Sequence, residues 1–555
     1  MKSGRPSNLI WLLILAAVFF FIPAVLFSVY PLGFWSSTDY EPLGLADALN
    51  MAYRLGDLRL YAAEGMTGHP GVQFYLTSWL ALALSGHPVA TGDAYSFFRD
   101  VVDHVEDYHR ITVYLAGLIG SAGIFLFARF ALKLIPLGAT VAALLLWLVS
   151  TPATIICFMS TGFEPFALLI NGIFLMVLVR IAFDRDLDPW MMVLAGCVGA
   201  FAYLNKLSYA YIPLALVTAI FWKAVFCGIG WRRGTKMIAI SFFTFVGVII
   251  ATGYLVIGSN AFIAMLRFHR NVILGSGLYG TGSQVVVSEA GVLRAIMAIP
   301  GDGAWAVPLA LIGGAALWIA GLVAGFRNRQ DNSVAIIAIG AGLAGLFAAL
   351  SVLKHYDSHY TAGVSAALPG CVLACWLLAG SWNPRLRLAG VAAVWVAISL
   401  MTGPVLRHVG GALADISETS RLAAVDMKQV SAATAGLKRA VGYTYRVPFP
   451  QYVEGFVVHF AGIPRLTEEY VENRGGITNS IVGPPGAEDD GAYVIDKAYF
   501  PDIAAIESAA NLDPLGPKPV QFEPGDRLIE FHTVFLLIRK MTAADQFHHP
   551  DRDRS

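Results

Sequence analysis

The sequence predicts an all-α polytopic membrane domain of about eleven transmembrane helices, with interfacial helices in its first outer loop. A small extracytoplasmic α/β domain follows at the C-terminal end. Three observations carry this expectation. The 555 residues are 57% hydrophobic and only 14% charged, and the mean hydropathy is +0.63. Apolar stretches of about 20 residues recur, long enough at about 1.5 Å per residue to cross a bilayer core. Beyond residue 406 the texture changes to polar loops, a helical pattern and strand-like runs.

Helices are expected because the apolar runs are continuous. A closed barrel would alternate apolar and polar residues. The spans read as roughly 9–30, 110–132, 136–158, 163–183, 189–205, 208–227, 237–258, 304–326, 333–353, 359–380 and 387–405. The first has Lys2 and Arg5 before it and no small-residue cleavage site, so it reads as a retained span. The stretch "HPGVQFYLTSWLALALSGHP" is shorter in its apolar part and carries Gln73, Thr77 and Ser78. Charge parity decides how it is read. If it does not cross, the basic groups Arg129/Lys133, Arg180/Arg185, Lys223/Arg232/Arg233/Lys236, Arg327/Arg329 and Arg385/Arg387 share the cytoplasmic side with Lys2/Arg5. It is therefore read as interfacial or re-entrant. Residues 31–109, 259–303 and everything after about 406 then face outward, as do all 12 histidines.

The domain division follows. Residues 1–405 form the membrane domain, with 31–109 as its first outer loop. Residues 406–543 form the outer α/β domain, and 544–555 a disordered tail. Within the outer domain, 413–440 reads as a helix, and "GAYVIDKAYF" and "RLIEFHTVFLLIRKM" read as strands rich in β-branched and aromatic residues. The five cysteines all sit in or beside apolar stretches, as small packing residues do, and imply no disulfide framework. Zero formal net charge and the absence of a Lys/Arg-rich run give no reason to expect a nucleic-acid partner.

Candidate chemistry collects on the outward side. Asp39 and Glu41 lie just beyond the first span, in "SSTDYEPLGLADALNMAYRLGDL". Leu45, Leu49, Ala52 and Leu55 downstream keep helical spacing, as a helix on the membrane surface would. A carboxylate there can act as general base on a substrate whose lipid tail stays in the bilayer. Equally, "STD" is a good N-cap cluster. The outer turns carry Glu164 in "MSTGFEPF" and Lys206 in "AYLNKLSYAYIP". The turn "LSVLKHYDSHYTAG" carries Lys354, His355, Tyr356, Asp357, His359 and Tyr360. Ionisable groups at this depth are costly and tend to face a polar cavity. Lysine supplies a point charge for phosphate oxygens, and Tyr and His hydrogen-bond sugars or phosphates. The bland counterpart is a snorkelling lysine in an interfacial aromatic belt. His355 and His359 have the i,i+4 spacing of metal ligands but no third partner, so no metal site is assigned and a divalent cation stays open as a cofactor. The glycine-rich "RFHRNVILGSGLYGTGSQ", with Arg267 and Arg270, reads as a loop able to close over a substrate, or as a plain connector.

The order of these motifs resembles the C-type membrane glycosyltransferases, in particular the protein O-mannosyltransferase, aminoarabinose-transferase and lipid A galacturonosyltransferase-like group. The residues that carry the likeness are "TDYEP" (Asp39, Glu41), "GHPGVQFYL" (His69, Pro70), "STGFEPFALL" (Glu164), "AYLNKLSYAYIP" (Lys206) and "KHYDSHYTAGVSAALP" (Lys354, His355, His359). The resemblance covers about residues 9–405; the C-terminal domain matches in position only. The resemblance implies a polyprenyl-phosphate sugar donor lying between spans in the bilayer. It implies a lipid, glycan or protein acceptor, and a first-loop aspartate as base. It implies inversion at the anomeric carbon, and lysines that hold the departing phosphate. It also implies a bacterial cytoplasmic membrane, with the site facing the periplasm or exterior. The sequence departs from the group in two places. Tyr40 separates the two acids, which are often adjacent, and "His-Pro-Gly" replaces "His-Pro-Pro". Either Asp39 or Glu41 could then be the base, since residues two apart point to different faces of a helix. The alternatives are a lipid-linked glycan flippase or transporter, another membrane glycan polymerase, and a non-catalytic assembly protein.

Overall fold

The structure is a computed structural model. It describes residues 7–29, 105–157, 164–257, 259–275, 284–285, 287–327, 332–434, 441–443, 492–497, 500–512 and 520–540, with positions 73, 77, 80 and 84. The described residues divide into two units: one holds residues 7–29 and 110–412 with positions 73, 77 and 80, and the other holds position 84, residues 105–109 and the described residues from Leu413 onward.

The first unit is all helical: α1 (Ser7–Val29), α2 (Val105–Ala131), α3 (Leu137–Val149), α4 (Pro152–Cys157), α5 (Glu164–Phe183), α6 (Pro189–Asn205), α7 (Tyr211–Phe226), α8 (Trp231–Thr252), α9 (Ser259–Leu274), α10 (Glu289–Asp302), α11 (Ala306–Arg327), α12 (Ser333–Lys354), α13 (Thr361–Ser365), α14 (Leu368–Trp382) and the first part of α15 (Pro384–Thr434). Among the described residues, eight helices are long and apolar enough to cross a membrane, and shorter apolar helices lie at Ile10–Phe21, Leu137–Val149 and Pro189–Asn205. The chain is thus a polytopic helical membrane protein.

Local chemistry sets several helix ends. Asp188 caps α6 by accepting from the Trp190 N–H at 3.0 Å, with Pro189 at the first helical position. Gly303, at φ 71°, closes α10 by donating its N–H to Ile299, a left-handed stop that a side chain resists. The core is built on α12, whose "AIIAIGAGLAGLFAAL" run is almost wholly buried. Small residues there bring backbones together. A Cβ on Gly342 would lie 2.5 Å from the Trp318 nitrogen and 2.8 Å from the Gly314 oxygen. Where lipid is as apolar as leucine, such close packing is what holds helices together.

The turns sort onto two ends. At one end Lys223 of α7 donates to the carbonyls of Ala182 and Asp184, Ser333 donates to Ala182 at 3.0 Å, and Arg233 meets Asp186 at 3.3 Å. At the other end Trp305 donates to Ser150 at 2.7 Å, Thr151 meets Thr361 at 2.7 Å, and Lys206 lies over Tyr360. Gln73 donates to the Phe201 carbonyl at 2.7 Å, near the C-terminal end of α6. Lys223 and Arg233 are thus held at the end away from the candidate site turns.

One expectation is corrected. The run from Arg267 to Gln284, read as a loop, begins inside a helix: Arg267–Leu274 is the second half of α9, and α10 follows, with a bridge between Gly275 and Gln284. The apolar residues of α9 and α10 recur at helical spacing but are interrupted by charge, too short and too polar for a span.

The second unit is a small sheet domain. Its strands β1 (Val441–Tyr443), β2 (Ala492–Asp496), β3 (Arg527–Glu530) and β4 (Val534–Ile538) lie in the order β1-β2-β4-β3, with β1 parallel to β2 and the other pairs antiparallel. The sheet is open, not a barrel. On one face, Ala423 and Val430 of α15 pack on Val494, Val534 and Leu536. On the other, Ile506 of α16 (Ile503–Ser508) packs with Ile495, Phe535 and Leu537. The run "RLIEFHTVFLLIRKM" is not one strand but a hairpin that turns at His532–Thr533. Buried Asp426 holds that turn: it accepts from the N–H groups of His532 and Thr533, from His532 Nδ1 at 2.7 Å and from Thr533 Oγ1 at 2.6 Å.

Candidate functional site

The turns that follow α6 and α12 supply the described part of the site. After Asn205 the helix stops and Lys206 is extended, at φ −160°, before a 3-10 turn over Leu207–Tyr209. This break carries Lys206 inward, so that only 7% of it is exposed. Its Nζ lies 4.2 Å from the centre of the Tyr360 ring. A desolvated ammonium over an aromatic face is stabilised by the ring quadrupole. Tyr360 belongs to a second 3-10 turn, Ser358–Tyr360, capped by Asp357. The His359 ring packs edge-on to Tyr360 at 4.0 Å, and its Nδ1 lies 2.9 Å from Asp357 Oδ1. Asp357, His359, Tyr360 and Lys206 therefore form a contiguous series. The His359 hydrogen bond holds the Asp357 carboxyl well below the usual carboxylate range, and Ser358 assists.

Beneath this series the helices are broken rather than continuous. α3 yields to α4 at Ser150–Thr151, and α13 to α14 at Ala366–Ala367. Buried hydroxyls join the breaks: Thr151 to Thr361 at 2.7 Å and Thr154 to Ser365 at 2.9 Å. Interrupted helices at membrane depth persist only where protein groups satisfy the freed polar atoms. The hydroxyl pairs give Tyr360 and Thr361 a fixed floor.

Lys354 and His355 are turned elsewhere. The Lys354 Nζ donates to the Ile273 carbonyl, and His355 Nε2 lies 3.3 Å from the Val272 carbonyl. These carbonyls belong to the last turn of α9, where helix C-termini lack partners and attract cations. Tyr356 is half-buried, and its hydroxyl has no hydrogen-bond partner among the described residues. Burial first, then the nearby carboxylates of Asp302 and Asp357, push its pKa up to about 12, so it stays a neutral donor. Asp302 meets His408 of α15 at 3.6 Å.

Of the other sequence candidates, Glu164 is the first residue of α5. Arg270 is exposed on α9. Asp39, Glu41 and His69 lie outside the described residues. Among the described residues no three His, Cys, Asp or Glu side chains gather as a metal centre requires. Sequence reading missed the hydroxyl pairs and the contact of buried His269 with Tyr203 at 2.6 Å. Thr and Ser in apolar runs look like neutral packing residues until their partners, about two hundred positions away, are known. A void bordered by Asn171, Phe127, Leu144 and Ala344 has about 10 Å³, room for one water and not for a prenyl chain.

No family model, no characterised protein and no solved structure matches the chain.

Proposed function

We propose that this protein is a membrane glycosyltransferase, moving a sugar from a polyprenyl-phosphate donor to a lipid, glycan or protein acceptor. The carrying observation is the meeting of buried Lys206 with the Asp357–Tyr360 turn, two distant segments singled out for phosphate and sugar chemistry. In this reading Asp39 or Glu41 takes the proton from the acceptor hydroxyl as its oxygen bonds the anomeric carbon. The bond from that carbon to the phosphate oxygen breaks on the opposite face, and the electron pair leaves with the lipid phosphate. Lys206 stabilises the charge that develops there. Tyr356 supplies a neutral hydroxyl donor. The reaction belongs on the periplasmic or exterior side of a bacterial cytoplasmic membrane, at the end that carries Lys206.

The test is sugar transfer in membranes given labelled polyprenyl-phosphate sugars, with Asp39→Asn and Glu41→Gln made separately and together. Loss with one substitution assigns the base. Full activity with both changed removes the mechanism.

A second reading, a non-catalytic assembly protein, has one observation in its favour. Lys354 and His355 are engaged as caps of α9, a structural task. It expects Asp39→Ala to leave cellular function intact.

A further inference from the structure

We infer that α9 is a platform for anionic phospholipid, with Arg267 and Arg270 as its headgroup contacts, and that it ties the leaflet to the Lys354–His355 turn. The inference does not depend on the transferase reading.

α9 starts where a span ends. α8 passes into a π-helical turn, Gly253–Ile257, and α9 begins at Ser259. The outward side of this stretch is apolar: Phe243 is 71% exposed and Leu255 79%, as lipid-facing groups in a span are. The exposed apolar band therefore runs up α8 to the first residues before α9. From there α9 crosses the end of the bundle. Phe262 and Met265 pack on Ala200, Leu204 and Ile249 of α6 and α8, and its last turn reaches Lys354 and His355 at the end of α12. Sixteen residues span about 24 Å, so a helix pinned at both places lies along the bundle end and not up into solution.

The composition of its free side decides the occupant. Ile263, Leu266, Ile273 and Leu274 are exposed, and exposed Arg267 and Arg270 stand among them. α9 contains no acidic residue. Water would suit only the charged half of this face. Lipid at headgroup depth suits both: acyl chains meet the isoleucines and leucines, and phosphates meet the guanidinium forks. α10 repeats the pattern, with exposed Leu293, Ile296 and Met297 beside exposed Arg294. The positive charge selects an anionic leaflet.

The experiment uses the full chain in vesicles of equal phosphatidylcholine and phosphatidylglycerol. A photoreactive benzoyl-phenylalanine replaces Leu266, and in a second protein Leu274, and the adducts are identified by mass spectrometry. The expected product is a lipid adduct enriched in phosphatidylglycerol by about fivefold or more over the vesicle ratio. In Arg267→Gln/Arg270→Gln, checked for folding by gel filtration, the enrichment falls back to the vesicle ratio. Adducts to this chain or a second copy, or no adduct, overturn the proposal. So does lipid captured at the vesicle ratio in the unsubstituted protein, a result that needs no arginine variant. Enrichment that survives the double substitution overturns the role of these arginines.

Discussion

Lys206→Met is the perturbation with the clearest double readout. The side chain keeps its length and apolar stem but loses its charge. Two quantities change. The first is internal: a desolvated cation over a ring at 4.2 Å contributes about 2 kcal/mol. A double-substitution cycle with Tyr360→Leu therefore returns a coupling of about 1–2 kcal/mol in thermal or denaturant unfolding of the detergent-solubilised protein. The second is ligand binding. A hydrogen bond to a charged group contributes about 1.5–3 kcal/mol, so the affinity for a polyprenyl phosphate falls about ten- to hundredfold. Lys206→Arg retains charge and recovers part of the affinity. The assay is microscale thermophoresis or scintillation proximity with a soluble short-chain prenyl phosphate. Coupling near zero refutes the contact as an energetic one. Unchanged affinity in Lys206→Met, with the fold intact, refutes Lys206 as the phosphate group.

Three further outcomes are expected. Asp426→Ala removes a buried carboxylate that accepts from the N–H groups and side chains of both His532 and Thr533, a loss of about 3 kcal/mol. Hydrogen exchange of the Val534–Ile538 amides should then quicken about hundredfold, and a change of less than threefold would contradict the anchoring role. The Asp357 carboxyl has its pKa lowered in the folded state, so its contribution is present above the unfolded value of about 4 and is lost as pH falls below it. The unfolding temperature of the parent should therefore converge on that of Asp357→Asn only on the acid side of about pH 4, and a gap that closes near pH 6 would assign the titration to another group. Gly342→Val drives side-chain atoms into the Trp318 backbone, costing about 1–3 kcal/mol or more, visible as a lowered unfolding temperature; an unchanged temperature would show that α11 and α12 can separate freely.

Much of the architecture was legible in the residues themselves. Hydropathy and length determined that the chain is a polytopic helical membrane protein, because in lipid a backbone must satisfy its own hydrogen bonds. Alternating basic clusters already grouped Lys223 with Asp184 and Lys206 with Tyr360, and the contacts at the two ends follow that grouping. Strand runs in the C-terminal unit were visible through their β-branched and aromatic residues. The hairpin was not: "EFHTV" has no glycine or asparagine to mark a turn, and the group that bends it, Asp426, lies about a hundred residues earlier. Likewise the second half of α9 runs into a glycine-rich stretch and reads as a loop until the helix finds α6 and α8 with Phe262 and Met265.

The candidate site divides in the same way. Sequence alone nominated Lys206, Lys354, His355, Tyr356 and His359, because charge and aromatic groups are conspicuous beside apolar spans. Only tertiary structure separated their tasks. It set Lys206 over Tyr360, left the Tyr356 hydroxyl unpaired among the described residues, and turned Lys354 and His355 to the end of α9. The physical reason is range. Hydropathy is a property of each segment. The direction of a charged side chain depends on which carbonyl, ring or carboxylate another segment brings within about 3–4 Å, and no local pattern encodes that.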